Sequence, residues 1–412
     1  MTFSFPRSLL AASLGLSLTL AATGAFAESH KQVLAGAEQY QPEALKLLER
    51  LVNIDSGSGY EPGLKQVSEI AIDELKKLGA TIELVPNTPD KSNHVLATLK
   101  GTGKAKILLM AHMDTVFKEG SAAERPFHIK DGRAYGPGVM DDKGGIVAGI
   151  YALKVLKNLD FKDYAQITFL LDASEETGSD VATDLIKKTA KQHDVTLNLE
   201  PGRPADGLVV WRKGSATALV EVKGKAAHAG VAPELGRNAA MEAAHQILQL
   251  GKLGDEAKKT TINFTVLKAG DRTNVIPDQA TAKADVRAAV PEEFDRIEKD
   301  LARVSQDKLI ADTEVKTSLQ RGLPPMPQTA ESDRLMAMAQ GIYGEIGRKL
   351  TEEGSGGAAD ASLSAGVGTP TLDGFGIVGG NIHTPEEYAE VASVAPRIYL
   401  LSRMIMELAM PR

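Results

Sequence analysis

The run KILLMAHMDTV, residues 106–116, reads as a buried strand that hands over to polar chemistry at its end. Ile107 through Ala111 are apolar, His112 follows, and Asp114 lies two residues beyond it. Strand alternation puts His112 and Asp114 on one face if the extended backbone continues. A carboxylate so placed can accept the second ring proton of the histidine, fixing its tautomer and raising its basicity. A core histidine beside a surface aspartate would give the same letters.

Working outward, helix and strand periodicities alternate. Helical spacing covers 42–54 and 62–79, with Gly79 where a C-terminal cap belongs. Strand-like runs occupy 80–85, 94–100 and 106–111. A helix at 143–158, a strand at 165–171, a helix at 180–190 and strands at 195–199 and 207–212 follow. Such alternation predicts an α/β fold: a layered domain with a largely parallel sheet. After Lys213 the order becomes strand (215–222), helix (236–251), two strands (260–268, 279–288), helix (291–305), strand (313–320). That is the βαββαβ, ferredoxin-like plan. The proline-rich RGLPPMPQT (321–329) marks the return to the first domain, which resumes with a helix at 331–346. We therefore expect a catalytic domain split over 28–213 and 324–412, and an inserted lid over 214–323.

Further metal-ligand residue types lie at the ends of apolar runs or in the turns after them, where an α/β sheet gathers its ligands. Asp141 sits in GPGVMDDKGG, Glu175 and Glu176 in LLDASEETGS, Glu200 ends VTLNLE, and His383 lies in GGNIHTPEE. Two imidazoles and three carboxylates suffice for two divalent metals, with one carboxylate to spare as a general base. One oxygen of Asp141 could go to each metal, while Asp142 could cap the next helix. Adjacent acids on extended backbone point apart, so one of Glu175 and Glu176 can bind metal while the other faces the attacking water. The lid offers His228 in GKAAHAG, Asn274 in DRTNVIPD, and Arg287, whose guanidinium could clamp a substrate carboxylate or form a surface ion pair. The segment GSGGAAD (354–360) could present Gly356 and Gly357 N–H groups to an anion, or be a plain loop. His30, His94, His128, His193 and His245 have no motif around them and read as structural or surface residues.

The chain opens with Arg7, an apolar stretch over 8–22 and the small-x-small triplet Ala25-Phe26-Ala27, the pattern of a signal peptide over 1–27. Its apolar stretch is too short and weak for a membrane span. Cleavage would shift the formal charge from −7 to −8 and leave ~385 residues, enough for two domains. With no cysteine, disulfides, lipid attachment through a thiol and thiolate ligands are excluded. The mildly acidic charge, without a basic run, argues against nucleic-acid binding. We expect a periplasmic or secreted protein, not held at a membrane after cleavage. No serine lies in a nucleophile-elbow sequence, so a serine hydrolase has no support.

Taken together, HMDTV, GPGVMDDKGG, SEETGS, LEP, GKAAHAG, TNVIPD and a late histidine resemble, in order, the zinc exopeptidases related to glucarpidase, aminoacylase and succinyl-diaminopimelate desuccinylase, most of all the glucarpidase branch. The resemblance spans nearly the whole chain after residue 27. It implies two zinc ions (cobalt or manganese as substitutes) bridged by Asp141, one also held by His112 and Glu200, the other by Glu176 and His383. It implies Glu175 as general base and Asp114 as partner of His112. A homodimer through the lid, with His228 reaching the partner's site as an oxyanion donor, is implied as well. Asn274, Arg287, Gly356 and Gly357 would hold the substrate carboxylate. The chain departs from glucarpidase at Leu323, where that relative has a second arginine, near Gly207–Leu208, where no lysine matches, and at Ala358–Ala359. The expected function is hydrolysis of an amide next to a free carboxylate, as in a glutamate carboxypeptidase acting on peptides or folate-type conjugates. Alternatives are an N-acyl-amino-acid deacylase, a di- or tripeptidase, and a non-catalytic zinc or amino-acid binding protein.

Overall fold

The computed structural model describes residues 12–88 and 91–410, with side chains from His30 onward. Arg7 of the candidate leader lies outside the described residues. From Ala12 the backbone is helical through Val52, so the candidate cleavage triplet falls inside a helix longer than the periodicity over 42–54 indicates. The extension is anchored by Val33, Ala37, Tyr40 and Ala44, buried at helical spacing against the helices Lys143–Asn158 and Val394–Ala409. Among the described residues no helix is long and apolar enough to cross a membrane.

The main sheet has six strands in the order Thr81–Asn87, Ser92–Lys100, Gln166–Asp172, Lys106–His112, Val195–Asn198, Thr371–Leu372. It is mixed rather than largely parallel. The last four strands run parallel, each pair joined through helices or a long excursion. The first two are antiparallel because only a few residues join them, too few for a crossover. Alternation along Lys106–His112 divides the core: Ile107, Leu109 and Ala111 face the large cluster under the long helices, while Leu108 and Met110 face Ile186, Leu323 and Leu363 on the other side. The helix Lys143–Asn158 is buried almost all round. Gly149 lets it lie against Phe169, since a Cβ there would sit 2.5 Å from the ring.

Residues Gly214–Arg321 form a four-stranded antiparallel sheet in the order Thr261–Ala269, Gln279–Ala288, Gly214–Lys223, Glu314–Arg321. The helices Ala239–Leu250 and Pro291–Val304 pack on it around a separate apolar cluster that includes Val220, Ala282 and Ile297. The strand order and the two crossing helices are those of the ferredoxin-like plan.

Glu293, buried beneath this unit's surface, bonds to Arg296, to Thr260 Oγ1 at 2.8 Å and to Lys258 Nζ at 3.1 Å. The Arg296 guanidinium holds its carboxyl at about 2, below the ordinary 4.5. A depressed folded-state value stabilises above the unfolded value and is lost as pH falls toward the folded one. We therefore expect Glu293→Gln to flatten the loss of stability between pH 4.5 and 2, measured by urea unfolding at each pH.

Candidate metal centre

Five segments bring the candidate ligands together, three of them at the carboxyl ends of parallel strands. His112 ends its strand, Glu200 lies two residues beyond Asn198, and Glu175 and Glu176 sit in a short 3-10 turn after Asp172. That turn replaces the extended backbone expected for the adjacent acids. Asp141 precedes the helix that starts at Lys143, and His383 sits at φ +64° in an exposed loop, its side chain half exposed.

Two groups of ligand atoms result, His112 with Asp141 and Glu200, and Asp141 with Glu176 and His383; within each, the atoms lie within 4.8 Å of one another. Asp141 belongs to both. Its Oδ1 is 3.1 Å from His112 Nε2 and its Oδ2 3.3 Å from His383 Nε2. Glu200 Oε1 is 3.5 Å from His112 Nε2, and Glu176 Oε2 is 3.2 Å from His383 Nε2. A carboxylate that gives one oxygen to each of two nitrogen–oxygen groups is the arrangement for bridging two cations.

The electrostatics fit the same reading. Burial pushes the Glu200 carboxyl up to about 8, against the pull of Arg212. Burial, and then the nearby Glu200, raise Glu175 well above the carboxylate range. Burial disfavours the charged form of His112, yet hydrogen bonds to Asp114 and Asp141 hold its ring well above the usual value. Hydrogen bonds to Asp141 and then Glu176 lift His383 to about 10. Carboxylates gathered out of water here need more positive charge than the histidines and Arg212 supply, and divalent cations fit both the charge and the nitrogen and oxygen donors.

Asp114 lies in the site but holds more than the histidine. His112 Nδ1 is 3.0 Å from the Asp114 carbonyl and 3.4 Å from its carboxylate. The carboxylate accepts the N–H groups of Glu175 and Glu176, each at 3.1 Å, and the Ser58 hydroxyl at 2.6 Å. Asp142 occupies the N-cap position but its side chain does not cap. Its Oδ2 instead accepts the His112 N–H at 3.2 Å.

Several contributors were not singled out from sequence. Arg212, buried, bonds to Glu200 Oε2 at 3.3 Å, to Asp373, and to the Gly357 carbonyl at 3.3 Å. It thereby ties the Gly356–Gly357 loop to a ligand. Glu387, four residues past His383, accepts the N–H groups of Gly138, Met140 and Asp141 at 2.9–3.0 Å. Burial pushes its carboxyl up to about 7. Lys143 Nζ reaches the Ile54 and Pro137 carbonyls at 2.8 and 3.3 Å. The GPG letters before Lys143 and the TPEE letters around Glu387 were the signals available, and Arg212 had none.

The lid candidates make contacts within the lid. Arg287 pairs with Asp285 at 3.0 Å. His228 is exposed, and its Nδ1 accepts from Gly230 and Val231 N–H at 3.2 Å. The Asn274 carbonyl accepts the Ala229 N–H, which places Asn274 beside the His228 turn. Leu323 is packed in the apolar cluster with Leu108 and Met110.

This fold, with two ligand groups that share Asp141, is the arrangement of a metal-dependent hydrolase. Residues 108–407 match the Peptidase family M20/M25/M40. Carboxypeptidase G2 of Pseudomonas sp. (strain RS-16) is 38% identical, over 98% of each chain. The crystal structure of aminopeptidase PepT from Bacillus cereus ATCC 10987 is similar at a TM-score of 0.77 and 26% identity, over 90% of this chain and 99% of that one. A tripeptidase from Staphylococcus aureus shares the fold, with a TM-score of 0.76 at 23% identity over 90% of this chain and 98% of its own. The chain belongs to the M20/M25/M40 peptidase family and is a metal-dependent peptide hydrolase.

Proposed function

We propose that this hydrolase is an exported two-zinc carboxypeptidase that cleaves the amide next to a free carboxylate, with C-terminal glutamate as the preferred leaving residue. The observation that carries the reading is the pair of ligand groups sharing Asp141, with Glu175 beside them and outside both. His112, Asp141 and Glu200 would hold one cation, and Asp141, Glu176 and His383 the other. Bound there, the cations supply Lewis acidity to the scissile carbonyl and to the attacking water. Glu175 takes the proton of that water and passes it to the leaving amine nitrogen. Arg287, Asn274 and the N–H groups of Gly356 and Gly357 hold the substrate carboxylate. The 38% identity to Carboxypeptidase G2 over its full length supports the glutamate preference. Export is supported by the leader pattern over 1–27.

A di- or tripeptidase is the second reading, favoured by the PepT likeness and by Leu323, which offers no charge to a second carboxylate. Zinc-reconstituted hydrolysis of pteroylglutamate, pteroylaspartate, dipeptides, tripeptides and N-acetyl amino acids separates the two. Chelator-sensitive cleavage favouring the glutamate conjugate supports the first reading, and cleavage of peptides alone supports the second.

The reading includes a homodimer formed through the lid. Its support is the unpaired edge strand Thr261–Ala269 with Leu267 exposed, beside Met241 and Leu248, which are 53% and 71% exposed. His228 would act across this interface. Two backbone donors on Nδ1 leave Nε2 to carry the proton, so the ring offers an outward N–H to an oxyanion. We expect light scattering to give twice the chain mass. Mixing inactive His228→Ala and Glu175→Gln chains should restore activity, since one site of the heterodimer is then complete. A monomeric mass, or no restoration, removes the trans role.

A further inference from the structure

Behind the metal centre lies a second buried group of titratable side chains that the proposed chemistry does not use. Asp172, the last residue of its strand, and Asp360, which ends the segment GSGGAAD, are both buried, with their carboxyl groups close enough to interact. Carboxylates only accept, so a bond between two of them contains a proton. The surroundings say which residue donates. Asp172 Oδ1 accepts from the N–H groups of Ala173 (2.6 Å) and Ser174 (3.0 Å) and from Ser174 Oγ (3.2 Å), and lies 2.7 Å from His94 Nδ1. Asp172 Oδ2 is buried and meets no N–H or hydroxyl donor. Asp360 Oδ1 accepts the Ser179 hydroxyl alone, so of the two carboxyls Asp360, with the fewer donors around it, is the one that keeps the proton.

The turn between these contacts carries Glu175 and Glu176. Asp172 holds its first two amides, Asp114 holds the amides of Glu175 and Glu176, and Asp360 holds its end through Ser179. Asp360 also closes the loop whose Gly357 carbonyl accepts from Arg212, the partner of Glu200. We infer that Asp360 is a positioning residue for this hydrolase: by donating to Asp172 and accepting from Ser179, it fixes the Ala173–Ser179 turn that aims Glu175 and couples that turn to the Gly356–Gly357 loop. This rests on the reading of Glu175 as general base. Asn at position 360 keeps both bonds, its amide N–H to Asp172 and its carbonyl to Ser179, whereas alanine keeps neither.

The test compares Asp360→Asn, Asp360→Ala and Ser179→Ala in the full-length, zinc-reconstituted protein. We expect Asp360→Ala to lower kcat about 10–100-fold with KM and zinc content unchanged, and Asp360→Asn to stay close to wild type. In the zinc-free protein, amide exchange across 173–179 should accelerate in the alanine variant and stay protected in the asparagine variant. An asparagine variant as impaired as alanine, or an alanine variant with wild-type kcat and exchange, overturns the inference. If Asp360→Ala does not fold, Ser179→Ala decides: faster exchange over 173–179 with lowered kcat supports it, and wild-type values overturn it. Exchange needs no substrate, so a protein that cleaves nothing in the panel yet shows the asparagine–alanine contrast refutes the proposed function while the positioning contact stands.

Discussion

Glutamine in place of Glu175 is expected to lower kcat by about 10²–10⁴-fold while zinc stays bound. Glu175 lies outside both ligand groups, so the substitution removes no ligand atom. Its N–H bonds to Asp114 Oδ1 at 3.1 Å, a contact that glutamine retains, so the turn keeps its shape. What glutamine loses is the ability to take a proton. Burial, and then Glu200, raise the Glu175 carboxyl, which brings a carboxylate closer to the basicity that proton transfer near neutral pH needs. Steady-state kinetics and elemental analysis on the same preparation check both halves. Wild-type turnover in the glutamine variant removes Glu175 from the reaction, and loss of zinc reassigns it as a ligand.

Asp141→Asn is expected to abolish turnover by a different route, through the metal. Each Asp141 oxygen faces a different histidine, at 3.1 and 3.3 Å. Asparagine keeps one oxygen and turns an amide nitrogen toward the other position, so at least one cation loses its bridge. The readout beyond activity is stability. A cation at about 100 times its dissociation constant adds about 2.7 kcal/mol to the folded state, seen as a rise in Tm on zinc addition. That rise should shrink in Asp141→Asn. A variant with full zinc content and an unchanged rise contradicts the bridging role.

The fold was legible where apolar runs are long or one face is buried. KILLMAH and the helix over 143–158 are buried on nearly every side and read as long apolar runs, while the lid strands bury alternate residues. The helix Val394–Ala409 was not read. It is apolar nearly all round and carries two buried arginines, Arg397 held by Asp206 and the Gly374 and Gly207 carbonyls, and Arg403 held by Glu345. Those partners lie far away in sequence, so the charges look exposed. The strands His128–Lys130, Arg133–Tyr135, Gly379–Gly380 and Tyr388–Glu390 are too short for alternation to register.

The same division runs through the site. His112, Asp141, Glu175, Glu176, Glu200 and His383 lie in motifs with glycine, proline or strand-end context, and the structure brings them together. Arg212, Asp373, Glu387, Asp172 and Asp360 act through pairings across the fold, as Arg212 does with Asp373. No local spacing announces such pairs. Arg287 was legible as a strand-end guanidinium, and in the structure it pairs with Asp285 at 3.0 Å, a partner two residues away that a substrate carboxylate would have to displace or share.

Zinc titration of the metal-free protein, with activity and bound metal followed together, tests the central claim most directly. The account predicts saturation at two zinc ions per chain, with turnover of the glutamate conjugate rising as both sites fill and vanishing with chelator. Saturation at one ion per chain, or turnover indifferent to the chelator, would contradict it.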